Sequence, residues 1–143
     1  MQWRKQILLA MVLGVLAVAA KAQLWQGDEV TGTWLTADKR GQIAIYKNGD
    51  KYFGKIKGGS GKEQFDVHNP DAARRKDPLV GLVILKNFKF NGEDEWKDGT
   101  IYDPESGKTY SCQMTLTNKN TLKIRGYIGF SWLGRTEVWT RIN

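Results

Sequence analysis

Four residues near the C-terminus, Arg125, Tyr127, Trp132 and Arg135, combine two guanidinium groups with two aromatic rings around an apolar, glycine-flanked turn, Gly129-Phe130-Ser131-Trp132-Leu133-Gly134. A few polar groups converging on an apolar surface is the chemistry of a small-ligand site, and an arginine among aromatics would meet an acidic headgroup. A second set, Asp66, Asn69 and Arg74, falls in a polar segment and could close over a cavity as a lid. Nothing comparable supports catalysis. There is one histidine, His68, and one cysteine, Cys112, with no nucleophile elbow and no recognisable pair of acids, so no enzyme activity is expected. Asp98, Asp103 and Glu105 lack the spacing of an acid-rich calcium loop. Neither a metal nor a cofactor is expected.

These residues must be positioned by strands. The chain is rich in Gly, Thr, Trp and Tyr, contains three prolines, and shows no long helical period. Eight strands are predicted: 30–36, 41–47, 51–57, 79–90, 99–103, 108–116, 121–130 and 135–142. Asn48-Gly49 is a two-residue hairpin signal, Asp103-Pro104-Glu105-Ser106-Gly107 reads as a turn, and Asn118-Lys119-Asn120 as another. Alternation is clearest where Tyr110, Cys112, Met114 and Leu116 share one face, which predicts a buried, inert thiol.

Leu79 to Leu85 is apolar at nearly every position, so something must cover its outer side. The long Gly58–Pro78 connection is the candidate, with a short helix over 71–76 started by Asn69-Pro70-Asp71. Lid and cover are both open readings of that loop. Arg125 likewise has two: with Lys123 and Tyr127 on a wet outer face, or pointing into a cavity mouth. Sequential hairpins favour an all-β fold, a small antiparallel up-and-down barrel of about eight strands, which also removes exposed strand edges. Trp34, Ile43, Ile45, Phe53, Tyr110, Met114, Leu122 and Ile124 would fill its interior, leaving a shallow crevice.

The N-terminus supplies the compartment. Arg4 and Lys5 precede an uncharged run of 14 residues from Ile7 to Ala20, followed by Ala20-Lys21-Ala22. That is the layout of a secretory signal, cleaved before Gln23, and the run is shorter than the ~20 residues a membrane-spanning helix needs. Residues 1–22 are thus read as a signal peptide and 23–143 as one domain, exported to the periplasm or beyond, with no transmembrane anchor after processing. Losing Arg4, Lys5 and Lys21, which no acid offsets, lowers the formal charge from +7 to +4. The cations are interleaved with acids rather than clustered, which argues against nucleic acid. With a single cysteine no internal disulfide can form, so packing must hold the fold.

Gly32-Thr33-Trp34 near the start and Trp139-Thr140-Arg141 near the end resemble the lipocalin and wider calycin pattern, in which Gly-x-Trp on the first strand packs against a basic residue from the end of the barrel. The resemblance implies barrel closure by Gly32, Trp34 and Arg141. More of the chain resembles the exported bacterial domain-of-unknown-function family numbered 2147. Its segments occur in order, among them Tyr52-Phe53-Gly54-Lys55-Ile56, Asp66-Val67-His68-Asn69-Pro70-Asp71, Gly99-Thr100-Ile101-Tyr102-Asp103 and Leu122-Lys123-Ile124-Arg125-Gly126-Tyr127. That resemblance implies export and one β-rich domain and brings no catalytic residue. The expected function is binding of a small apolar or amphiphilic ligand in or at the mouth of the barrel, through Arg125, Tyr127, Trp132, Arg135, Asp66 and Asn69. The alternative is a non-enzymatic interaction module that meets an envelope partner through its outer surface.

Overall fold

The computed structural model describes residues 25–59 and 61–143. The predicted signal peptide and its cleavage point lie outside the described residues. Eight strands form: β1 (Gly32–Leu35), β2 (Gly41–Asn48), β3 (Lys51–Gly59), β4 (Val83–Phe90), β5 (Glu95–Asp103), β6 (Lys108–Asn118), β7 (Thr121–Tyr127) and β8 (Arg135–Arg141). Each pairs antiparallel with the next, and β8 returns to β1 through Trp34 opposite Arg141 and Leu35 opposite Thr140. The ring is therefore a closed up-and-down barrel, as the hairpin signals predict. Three single-turn 3-10 helices accompany it, Asp28–Val30, Ala72–Arg74 and Ser131–Leu133.

Up-and-down order puts the turns alternately at two ends. The β2–β3, β4–β5 and β6–β7 hairpins surround one end, together with the Asp28–Val30 turn and the end of β8. The β1–β2, β3–β4, β5–β6 and β7–β8 connections surround the other. The first end is packed solid: Trp34, Leu85, Phe88, Trp96, Met114, Leu116, Leu122 and Trp139 are buried there with Val30. Cys112 belongs to the same core, and burial pushes its thiol up to about 12, the inert group its alternation phase predicts.

Three local expectations change. Phe53 does not fill the barrel; Tyr52 does, and Phe53 stacks on Tyr46 at 5.9 Å on the other face. A one-residue change of phase sends the neighbouring ring inside, because strand side chains alternate. Leu79 to Leu82 is not strand, since β4 begins at Val83. The connection does lie against this segment, through a Phe65–Pro78 bridge and bonds from Leu79 N to Gln64 O and Gly81 N to Ile56 O, yet Val80 remains exposed. Finally, the short helix in the loop is capped by Asp71, whose carboxylate accepts from Ala73 N at 3.0 Å, and not by Asn69. Asn69 is occupied elsewhere.

Candidate functional site

The closed end shows what Gly32, Trp34 and Arg141 do. The Arg141 guanidinium lies 4.3 Å from the centre of the Trp34 ring and donates to Lys119 O (2.6 Å), Thr31 O (2.7 Å) and Glu29 O. One side chain thus ties the entry turn, the β6–β7 hairpin and β8 to the tryptophan that seals the floor. The Trp34 indole donates to Val30 O at 2.9 Å. Gly32 has φ +131°, and a Cβ there would lie 2.5 Å from Asn143 O and 2.6 Å from the Arg141 guanidinium, so only glycine fits. Tyr52 completes the floor by donating to Asp28 at 2.7 Å; that bond and Lys47 nearby hold the Asp28 carboxyl below its ordinary value.

Above this floor the barrel is open. A cavity of about 1400 Å³ runs from the middle of the barrel to the mouth, with apolar walls from Ile43, Ile56, Ile84, Ile101, Tyr110 and Ile124. Polar groups from the β1–β2, β3–β4 and β5–β6 connections, among them Asp38, Arg40, Lys62, Glu63 and Glu105, ring the mouth, and β8 adds two charges to the wall. Gly126 faces Arg135 and Ile124 faces Glu137 across the β7–β8 ladder, so Arg135, Glu137 and Trp139 follow one another down the inward face. Both charged residues line the cavity. Glu137 lies next to the packed floor, where Trp139 Nε1 approaches its carboxylate at 3.5 Å, the limit of a hydrogen bond. Among the described residues it forms no ion pair. Arg40, also on the lining, is engaged with Asp38 at 3.2 Å and Glu105 at 3.8 Å.

The structure divides the six ligand-binding residues expected from sequence. Arg135 and Tyr127 line the cavity. Arg125 does not: it sits opposite Gln113 and Thr136, with its neighbour Ile124 inside, and its guanidinium donates to Ser131 O at 2.5 Å and Thr136 Oγ1 at 2.7 Å. It braces the β7–β8 turn from outside. Trp132 stands on that turn, 72% exposed and outside the lining. Asp66 and Asn69 are a latch within the long connection. Asp66 is fully buried and accepts from Tyr102 Oη at 2.6 Å and Asn69 Nδ2 at 2.7 Å. Burial and this carboxylate push the Tyr102 phenol up to about 12. The latch is reinforced where the His68 carbonyl abuts Gly107, whose φ of +71° and contact leave no room for a side chain. Arg74 pairs with Asp71 at 3.7 Å, so the polar residues of the loop hold the loop itself.

The sequence reading missed Glu137, together with mouth residues such as Asp38, Arg40, Lys62, Glu63 and Glu105 that line the cavity. For Glu137 the signal was available: Arg135, Glu137, Trp139 and Arg141 recur every second residue, and Arg141 had to face Trp34. Following that phase upward places a carboxylate inside the barrel.

A closed eight-strand barrel, plugged at one end by a Gly-x-Trp strand and a stacked arginine and open at the other, is a lipocalin-like architecture. It is similar to protein HP1028 from the human pathogen Helicobacter pylori, described as belonging to the lipocalin family, with a TM-score of 0.73, 21% identity, and coverage of 79% of this chain and 82% of that one. That likeness concerns the fold. Residues 32–141 match the family described as "Uncharacterized protein conserved in bacteria (DUF2147)", and the chain belongs to that family. No curated protein matches it.

Proposed function

We propose that this chain is an exported protein of the bacterial cell envelope that holds one small apolar or amphiphilic molecule in the upper half of its barrel. The observation that carries the reading is the cavity above the packed floor: apolar walls, an open mouth, and Arg135 and Glu137 on a single strand. Its volume exceeds the roughly 300–1000 Å³ of ordinary small-ligand pockets because the mouth is included. The apolar walls would hold the body of the ligand, and the two charges would orient its polar groups. Export is supported by the basic start, apolar run and small residues of 1–22. No described helix is long and apolar enough to cross a membrane.

Binding is tested with the neutral dye N-phenyl-1-naphthylamine, whose fluorescence rises in apolar surroundings. The protein should bind it saturably, and Gly126→Phe should abolish binding. Gly126 lines the cavity, its φ is unremarkable, and a Cβ there meets only ordinary contacts at 3.6 Å or more, so the ring would fill the cavity without straining the strand. A Gly126→Phe protein that melts normally and binds the dye like the parent would refute the cavity as the site.

A further inference from the structure

Among the described residues nine large apolar side chains are exposed, and seven belong to two loops at the barrel mouth. Phe65, Val67 and Val80 are in the β3–β4 connection; Ile128, Phe130, Trp132 and Leu133 are in the β7–β8 turn. In a closed ring of eight, these two connections lie four strands apart in either direction. They therefore stand on opposite sides of the mouth. Scattered exposed apolar residues are ordinary, but this segregation to one end is not.

The β7–β8 turn is held rigidly as well as exposed. Phe130 and Trp132, 64% and 72% exposed, stack at 5.7 Å with planes 18° apart. Behind them Arg125 bonds Ser131 O and Thr136 Oγ1, and Leu133 N closes the turn on Phe130 O at 3.0 Å. Gly134 packs so closely on Gly126 O that a Cβ would lie 2.5 Å from it. A braced pair of rings displayed to solvent is a feature that suits an apolar partner. Of the charges on the β7–β8 hairpin, Arg125 and Arg135 flank the turn and no acid lies between them.

We propose that the mouth end of the barrel docks on an anionic lipid bilayer, with Phe130 and Trp132 entering the headgroup layer and the β3–β4 loop touching down on the far side of the mouth. Two apolar prominences on opposite sides of an opening match a plane, and a bilayer is the planar partner that takes aromatic rings at its interface and attracts cations to its surface. Ile128 and Leu133 both line the cavity and belong to the exposed turn, so docking sets the cavity mouth against the lipid. The docking rests on the two loops and needs no ligand in the cavity.

The test is co-sedimentation with phosphatidylcholine vesicles, with and without phosphatidylglycerol, of protein purified from an expressing bacterium. The parent should bind the phosphatidylglycerol vesicles, more weakly at high salt. Phe130→Ser/Trp132→Ser should lower the partition coefficient about 100-fold, the scale of losing two large buried apolar groups. Its melting temperature should be unchanged, because both rings are exposed. Parent and variant share one N-terminus, so residues 7–20, if retained, contribute equally to both. Gly126→Phe should bind vesicles like the parent, which separates this inference from the cavity reading. The inference is overturned if the parent ignores anionic vesicles, if the double variant binds them equally well, or if the substitutions instead dissolve a dimer of this chain or a complex with another protein.

Discussion

The two ends of this barrel are built on opposite rules. At the closed end polar groups are engaged with one another, Arg141 with three carbonyls and the Trp34 ring, Tyr52 with Asp28, Trp34 with Val30 O, and the buried Trp96 Nε1 is the exception. At the mouth, apolar side chains remain uncovered, and among the described residues Glu137 faces the cavity without an ion-pair partner. Satisfied groups and filled volume stabilise the fold, whereas unfilled volume and unpaired charge can stabilise only a complex. The ligand-binding proposal rests on this difference, since unfilled volume is found where the packing stops.

The largest expected effect lies at the closed end. Arg141→Ala removes three hydrogen bonds from a partly buried guanidinium together with its contact with Trp34, and should lower unfolding free energy by about 4 kcal/mol in chemical denaturation. A loss below ~1 kcal/mol would mean the floor is held by apolar packing alone. Alkali probes one shifted group in the packed core, Cys112, and one in the latch at the mouth, Tyr102. Cys112 is pushed from 9.0 to about 12, and Tyr102 from 10.0 to about 12, so the folded state keeps both protons longer than the unfolded chain does. Their stabilisation is present below the ordinary values and is lost as pH rises through about 12. For the thiol the loss should reach roughly 2 kcal/mol by pH 10.5, and Cys112→Ala should flatten that limb of the stability curve.

The smallest effect on stability, and the sharpest on specificity, belongs to Glu137. Glu137→Gln should change unfolding free energy by less than about 0.5 kcal/mol, because its one hydrogen bond, from Trp139 Nε1 at 3.5 Å, is long and a glutamine oxygen can still accept it. In displacement of the naphthylamine dye, the parent should favour dodecylamine over dodecanol, and the variant should lose that preference by about tenfold, the weight of one charge-assisted hydrogen bond. Equal preference in both proteins would place Glu137 outside the ligand's reach.

The sequence by itself determined the barrel. Hairpin chemistry at Asn48-Gly49 and 103–107 and the period-two runs are local signals, so strand count and order were legible; the sealed end, where Gly32 and Trp34 meet Arg141 from the far end of the chain, was legible through the resemblance to the lipocalin pattern. Where one face is wet and the other dry, alternation also fixes which side chains point inward, as it did for Cys112 and Met114. Phase failed at Phe53, because two consecutive aromatics satisfy either register and the choice is made by what lies across the ladder.

Only the tertiary structure decided how the polar residues are spent. Asp66 and Asn69 look like ligand contacts until Tyr102, 36 residues from Asp66, is folded against the carboxylate. Arg125 looks like a cavity residue until Ser131 O and Thr136 Oγ1 come within its reach on the outer face. The phase of Arg141 places Glu137 on the inward side of β8, but that its carboxylate borders open volume rather than packed core shows only once the ring is closed. Periodicity is a property of neighbouring residues and can be read along the chain. Whether a charge is paired or waiting for a ligand depends on groups brought together by the closing of the ring, and that is written in three dimensions only.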